Sequence, residues 1–152
     1  MARIRRVLYP SDFSPASRAA FPKALELARA NRAELLLVHV LSPVPVPVVS
    51  EYISPRVLDD LIRSARAAAQ RRLDALRARA KKAGVRAIAL LAEGTPFTQI
   101  AKAAKVKHAD LVVMGTHGRS GLRKLFLGSV AERVVGTAPC PVLTVRRSSA
   151  GR

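Results

Sequence analysis

Residues 111–130, LVVMGTHGRSGLRKLFLGSV, set the narrowest limits on how this chain of 152 residues can fold. An apolar run from Leu111 to Met114 closes at Gly115. A polar loop punctuated by Gly118 and Gly121 follows, and Gly128-Ser129 leads into the apolar-periodic VAERVV. That order predicts a buried strand, a loop and a helix. Glycines without Cβ let loop amides turn inward, and the helix brings its own free N–H groups and positive dipole end to the same place. Such geometry suits an anion, with polyphosphate the favoured one; tight turns alone are the other use for the same glycines.

The rest of the chain repeats the pattern. Ile4 to Pro10 reads as a first strand ended by Pro10, and Ser14-Pro15 caps and starts a helix over Ala16 to Arg32. Glu34 to Val40, nearly continuous in leucine and valine, fits a parallel strand covered on both faces. Residues 41–54 carry three prolines and predict a surface loop, placed as a lid. Pro55 opens an amphipathic helix to Ala83. Its apolar positions Leu58, Leu61, Ile62, Ala69, Leu73 and Leu76 predict one face packed on the sheet, with Gly84 as C-cap. Val85 to Ala92 is a third strand, Thr95-Pro96 starts a helix to Val106, and Pro141 to Val145 is a fifth strand, before a disordered tail from Ser148. Five strands alternating with helices predict one α/β domain, residues 1–147, with a parallel sheet and right-handed crossovers.

Open parallel sheets bind ligands beyond the carboxyl ends of their strands, and Asp12 lies just past the first strand. A carboxylate there can accept hydrogen bonds from ribose hydroxyls or cap its own turn, and the two uses are compatible. His39, inside an apolar strand, reads as a packed core residue. His117 reads as an exposed loop histidine. Arg119, Arg123 and Lys124 could neutralise phosphate charge or remain solvated.

The spacing Gly115-x2-Gly118-x9-Gly128-Ser129 resembles the signature of the ATP-binding branch of the universal stress protein family, and Pro10-Ser11-Asp12-Phe13-Ser14 is similar to that family's segment after the first strand. The resemblance, spanning Ile4 to Val145, implies a three-layer sandwich with strand order 3-2-1-4-5. It implies ATP as the ligand, with Mg2+ or Mn2+ carried on the phosphates. It places Asp12 on the ribose, the main chain of Val40 on adenine, and Gly115, Gly118, Gly128 and Ser129 at the phosphates; Pro10, Met114, Arg119 and Val130 complete the contact positions. It also implies a homodimer paired through the edge strand Pro141 to Val145, which would cover an aggregation-prone edge.

Composition narrows the alternatives. A formal net charge of +17 raises nucleic acid as a partner, but it divides as +3, +6 and +8 over residues 1–54, 55–84 and 85–152, and only 4% of residues are aromatic. A nucleic-acid-associated protein is therefore the weaker expectation. The single cysteine, Cys140, reads as a buried thiol in a reducing compartment, and one Cys with three scattered His predicts no zinc site. The basic start lacks an apolar signal core, and no membrane-length apolar run occurs, so a cytoplasmic location is expected. There is no Walker A or dinucleotide fingerprint. The acidic candidates near the glycine loop are Asp12, Asp110 and Glu132, none a convincing catalytic base. A regulatory nucleotide-binding module with slow hydrolysis at most is expected, with a dedicated adenine-nucleotide hydrolase as the enzymatic alternative.

Overall fold

The computed structural model describes residues 3–43, 52–117 and 126–148. Five strands form one sheet in the order β3-β2-β1-β4-β5, all neighbours parallel, as expected. They are β1 Arg6–Pro10, β2 Glu34–Leu41, β3 Ala87–Glu93, β4 Leu111–Gly115 and β5 Val142–Val145. The helices are α1 Pro15–Asn31, α2 Pro55–Lys82, α3 Pro96–Val106 and α4 Ser129–Thr137. β1 begins two residues later than its apolar pattern indicates. Ser148 is described as irregular chain, and the rest of the expected tail lies outside the described residues.

Alternation along the strands assigns each side chain to one of two cores, because successive residues face opposite sides. Val7, Tyr9, Leu35, Leu37 and Val113 pack under α1 and α2; Leu8, Leu36, Val38, Val112 and Met114 pack under α3 and α4. Helices therefore cover both faces. Local signals start them: Ser14 Oγ accepts the Ser17 amide at 3.2 Å, Ser54 Oγ accepts the Val57 amide at 3.4 Å, and proline follows each cap. Thr95 has the cap conformation without the expected side-chain bond.

One expectation needs correction. The periodicity of α2 predicts packing along its whole length, yet only Ala69, Leu73, Leu76 and Ala80 are buried, while Leu61 and Ile62 are 54% and 39% exposed. Twenty-eight helical residues span about 42 Å, whereas the eight-residue strand beneath covers about 26 Å. The first part of the helix overhangs the sheet.

Candidate functional site

β1 and β4 are neighbours whose crossovers depart in opposite directions, so a crevice opens at their carboxyl ends. Its volume is about 960 Å³. Pro10, Asp12, Val40, Gly115, Gly128, Ser129 and Val130 all line it, drawn from four separate stretches of the chain. Met114 does not: its side chain is buried in the core under α3 and α4. Gly118 and Arg119, with Gly121, Arg123, Lys124 and most of the 41–54 loop, lie outside the described residues.

The segment after β1 is tied in place by short-range bonds. Asp12 Oδ1 accepts the Ser14 amide at 2.9 Å, so this carboxylate does cap its own turn while facing the crevice. Phe13 adopts φ 62°, a left-handed conformation unfavourable for a bulky residue. Three contacts hold it there. Its amide donates to Ser11 Oγ at 3.1 Å, its ring stacks on His39 at 4.5 Å, and the Arg72 guanidinium lies 5.3 Å above the ring.

Beneath this turn lies a buried hydroxyl network. Tyr9 Oη donates to the Ser17 carbonyl at 2.8 Å, and Ser17 Oγ donates to Ser11 Oγ at 2.8 Å. Burial pushes the Tyr9 phenol above its ordinary value of 10.0. The Asp12 charge adds to this, while the serine hydrogen bonds and Arg79 act against it. His39 is 7% exposed, and its Nδ1 donates to the Ser11 carbonyl at 2.7 Å, which fixes that nitrogen as the protonated one in the neutral ring. The expected core role of His39 holds, but the residue also forms part of the crevice wall.

Across the crevice, Gly115 ends β4. A Cβ added there would meet the Ala16 carbonyl oxygen at 2.7 Å and the Ser17 nitrogen at 3.1 Å. The missing side chain is thus explained by the close approach of α1, not by room for a ligand. Gly128 caps α4 at φ −61°, which any residue can adopt, and its amide donates to the Thr116 carbonyl at 2.6 Å. The first helical bond runs from the Glu132 amide to the Gly128 carbonyl at 2.9 Å. The amides of residues 129–131 precede the helical ladder, so the donors available to an anion come from Ser129 onward. His117 departs from expectation: it is half-buried, with Nδ1 2.9 Å from the Thr116 hydroxyl.

Several wall residues carried no signal in the sequence. Ala65, Ala68 and Arg72 come from α2, and Phe126 and Leu127 from the segment before α4. Phe13 stands inside the PSDFS segment and could have been singled out there. Asp110, expected near the glycine loop, sits at the opposite end of the sheet, where its Oδ2 accepts the Arg5 and Arg6 amides at 2.7 and 2.9 Å. Glu132 is exposed on α4. Cys140 is half-buried; burial, and then the negative charge of Asp110, pushes its thiol above the usual range. Among the described residues, no helix is long and apolar enough to cross a membrane, and no group of three metal-ligating side chains occurs.

Residues 3–146 match the family model described as the universal stress protein family. The chain is 34% identical over 143 residues to universal stress protein MJ0531 of Methanocaldococcus jannaschii, covering 94% of this chain and 82% of that protein. It superposes on the solved structure of MJ0577 from the same organism with a TM-score of 0.86 at 25% identity, covering 98% of this chain and 100% of that one. A universal stress protein family member of Arabidopsis thaliana, solved with AMP bound, gives a TM-score of 0.69 at 26% identity, with coverage of 95% and 93%.

Proposed function

Since the chain belongs to the universal stress protein family, we propose that it binds an adenine nucleotide, ATP foremost, in the crevice at the carboxyl ends of its strands. The observation that carries this reading is the convergence, in one cavity of about 960 Å³, of Asp12 after β1 with the Gly115 and Ser129 ends of the loop after β4. A nucleotide needs a hydroxyl acceptor for ribose, a mainly apolar wall for the base and donors for phosphate. Asp12 offers the first, Val38, Val40 and Ile100 the second, and the amides of 129–131 with the Ser129 hydroxyl the third. The AMP-bound relative supports the ligand class.

In this reading the ribose hydroxyls donate to Asp12, and the adenine edge lies along the Val40 main chain. The phosphates meet the start of α4, where the helix dipole favours negative charge. Gly118 and Arg119 complete the cradle on the strength of their spacing in the sequence. Mg2+ or Mn2+ travels on the phosphates. Among the described lining residues Asp12 is the only carboxylate, and one of its oxygens already holds the Ser14 amide. It is poorly placed to orient an attacking water, so the module senses nucleotide occupancy and hydrolyses slowly at most.

A homodimer completes the proposal. β5 is an edge strand whose Leu143 is 38% exposed, and Val135 of α4 is a second exposed apolar residue. Pairing with a second copy through a two-fold axis would cover this edge. Light scattering tests it, and a monomer at micromolar concentration contradicts it.

Calorimetric titration of ATP and AMP into the full chain tests the function. Wild type is expected to bind one nucleotide per chain, and Asp12→Ala to weaken that binding while the protein stays folded. Absence of nucleotide binding by folded wild type refutes the proposal.

A further inference from the structure

The amino ends of β1 to β4 surround a second cleft, of about 690 Å³, on the far side of the molecule from the first. Five arginines line it: Arg5, Arg6, Arg29, Arg32 and Arg86, joined by His108. Two carboxylates stand against them, and both are committed. Asp110 accepts two backbone amides, while Glu34 is shared between Arg6 at 3.7 Å and Arg86 at 3.0 Å. Among the described residues, the side chains of Arg5, Arg29 and Arg32 enter no ion pair.

The simplest account of so many cations is helix polarity. α1, α2 and α3 all end at this cleft, and helix C-termini attract positive charge. Magnitude argues against that being the whole account. Each helix end carries roughly half a negative charge, about 1.5 in all, whereas five guanidiniums exceed two carboxylates by three. A positive surplus remains. Arg32 sharpens the point: it occupies the left-handed C-cap of α1 at φ 53°, a place that favours glycine. Chain conformation alone would not select arginine there.

We propose that this cleft binds inorganic polyphosphate, a chain of linked phosphates, independently of the crevice at the other end of the sheet. Guanidinium forks match phosphate oxygens two at a time, and several of them around one concavity fit consecutive phosphates better than a single ion. No Phe, Tyr or Trp lines the cleft among the described residues, which leaves only the His108 ring and the guanidinium planes for bases to stack on. That favours a phosphate chain over single-stranded nucleic acid.

The test is titration of full-length protein with medium-chain inorganic polyphosphate at several salt concentrations. Wild type is compared with an Arg29→Ala/Arg32→Gly double variant. The control double variant, Arg63→Ala/Arg71→Ala, removes the same charge from exposed positions of α2. The cleft variant should bind about tenfold or more weakly, and its slope of log affinity against log salt should fall by about two. The control should stay within about twofold of wild type. Equal losses in both variants would show diffuse attraction and overturn the proposal. So would a single-stranded oligonucleotide of matched phosphate number that binds as tightly and responds to the same variants. Thermal unfolding checks both variants, and Arg5→Ala, at an exposed position before β1, repeats the comparison without altering a helix end.

Discussion

Among the described residues, this chain places one carboxylate, several hydroxyls and uncommitted helix amides around largely apolar walls at the carboxyl ends of the strands; at the amino ends of the same strands it places five arginines around two committed carboxylates. The contrast follows from the parallel sheet. Every βα unit delivers a helix N-terminus to one end and a helix C-terminus to the other. Where N-termini gather, the backbone itself attracts anions, and among the described lining residues Arg72 is the only guanidinium. Where C-termini gather, the backbone opposes anions, so side chains must supply the charge. Two anion sites at opposite ends of one sheet would therefore be built by different means, one from main chain and one from arginine.

The largest expected effect tests whether the carboxyl-end crevice depends on backbone approach. Gly115→Val places its Cβ against the Ala16 carbonyl and forces α1 away from β4. It should cost about 3 kcal/mol of stability, measurable by denaturant unfolding, and abolish nucleotide binding. Unchanged stability would mean that the helix yields easily. Asp12→Ala comes next, with nucleotide affinity falling about tenfold or more while polyphosphate binding at the other end stays put. Parallel losses at both ends would break the claim that the two sites are separate.

Smaller effects sharpen the comparison. Tyr9→Phe removes the donor to the Ser17 carbonyl beneath the crevice and should cost about 1–2 kcal/mol. It should also change the alkaline response. Because the folded phenol holds its proton above the ordinary value of 10.0, stability is full below that pH. It falls as pH rises above it, since the unfolded state releases a proton the folded state retains. The Phe variant should lose that component of the decline in pH-dependent unfolding. Arg32→Gly should give the smallest change, a gain of about 0.5 kcal/mol from relief of the left-handed conformation, together with weaker polyphosphate binding. Stability and binding moving in opposite directions would mark the arginine as retained for its charge.

Much of the architecture was legible because hydrophobic period and caps agree. Leu111 to Met114 and Glu34 to Val40 read as buried strands, and Ser14-Pro15, Pro55 and Thr95-Pro96 mark helix starts to within a residue. The crevice was legible where one local segment sets it, as with Asp12 and Ser129. Features that depend on lengths or on distant segments were not. The overhang of α2 follows from a helix outrunning its strands, and period alone does not reveal it. Gly115 reads as a ligand-approach glycine until the Ala16 carbonyl is seen beside it. The position of Asp110 is the exception: it precedes β4, and a parallel sheet puts that end opposite the loop that follows the strand. The arginine cleft was the least visible. Its cations come from three stretches of chain whose charge looks evenly spread in sequence, and only the fold gathers them at one end.

The most direct test of the central claim is a backbone-amide NMR titration of the full chain with ATP. Nucleotide seated between Asp12 and the start of α4 should shift the amides of residues 11–13, 40 and 129–131, while those of Arg29, Arg32 and Arg86 remain still. Shifts confined to the amino-end residues, or no shift at residues 11–13 and 129–131 under saturating ATP, would contradict it.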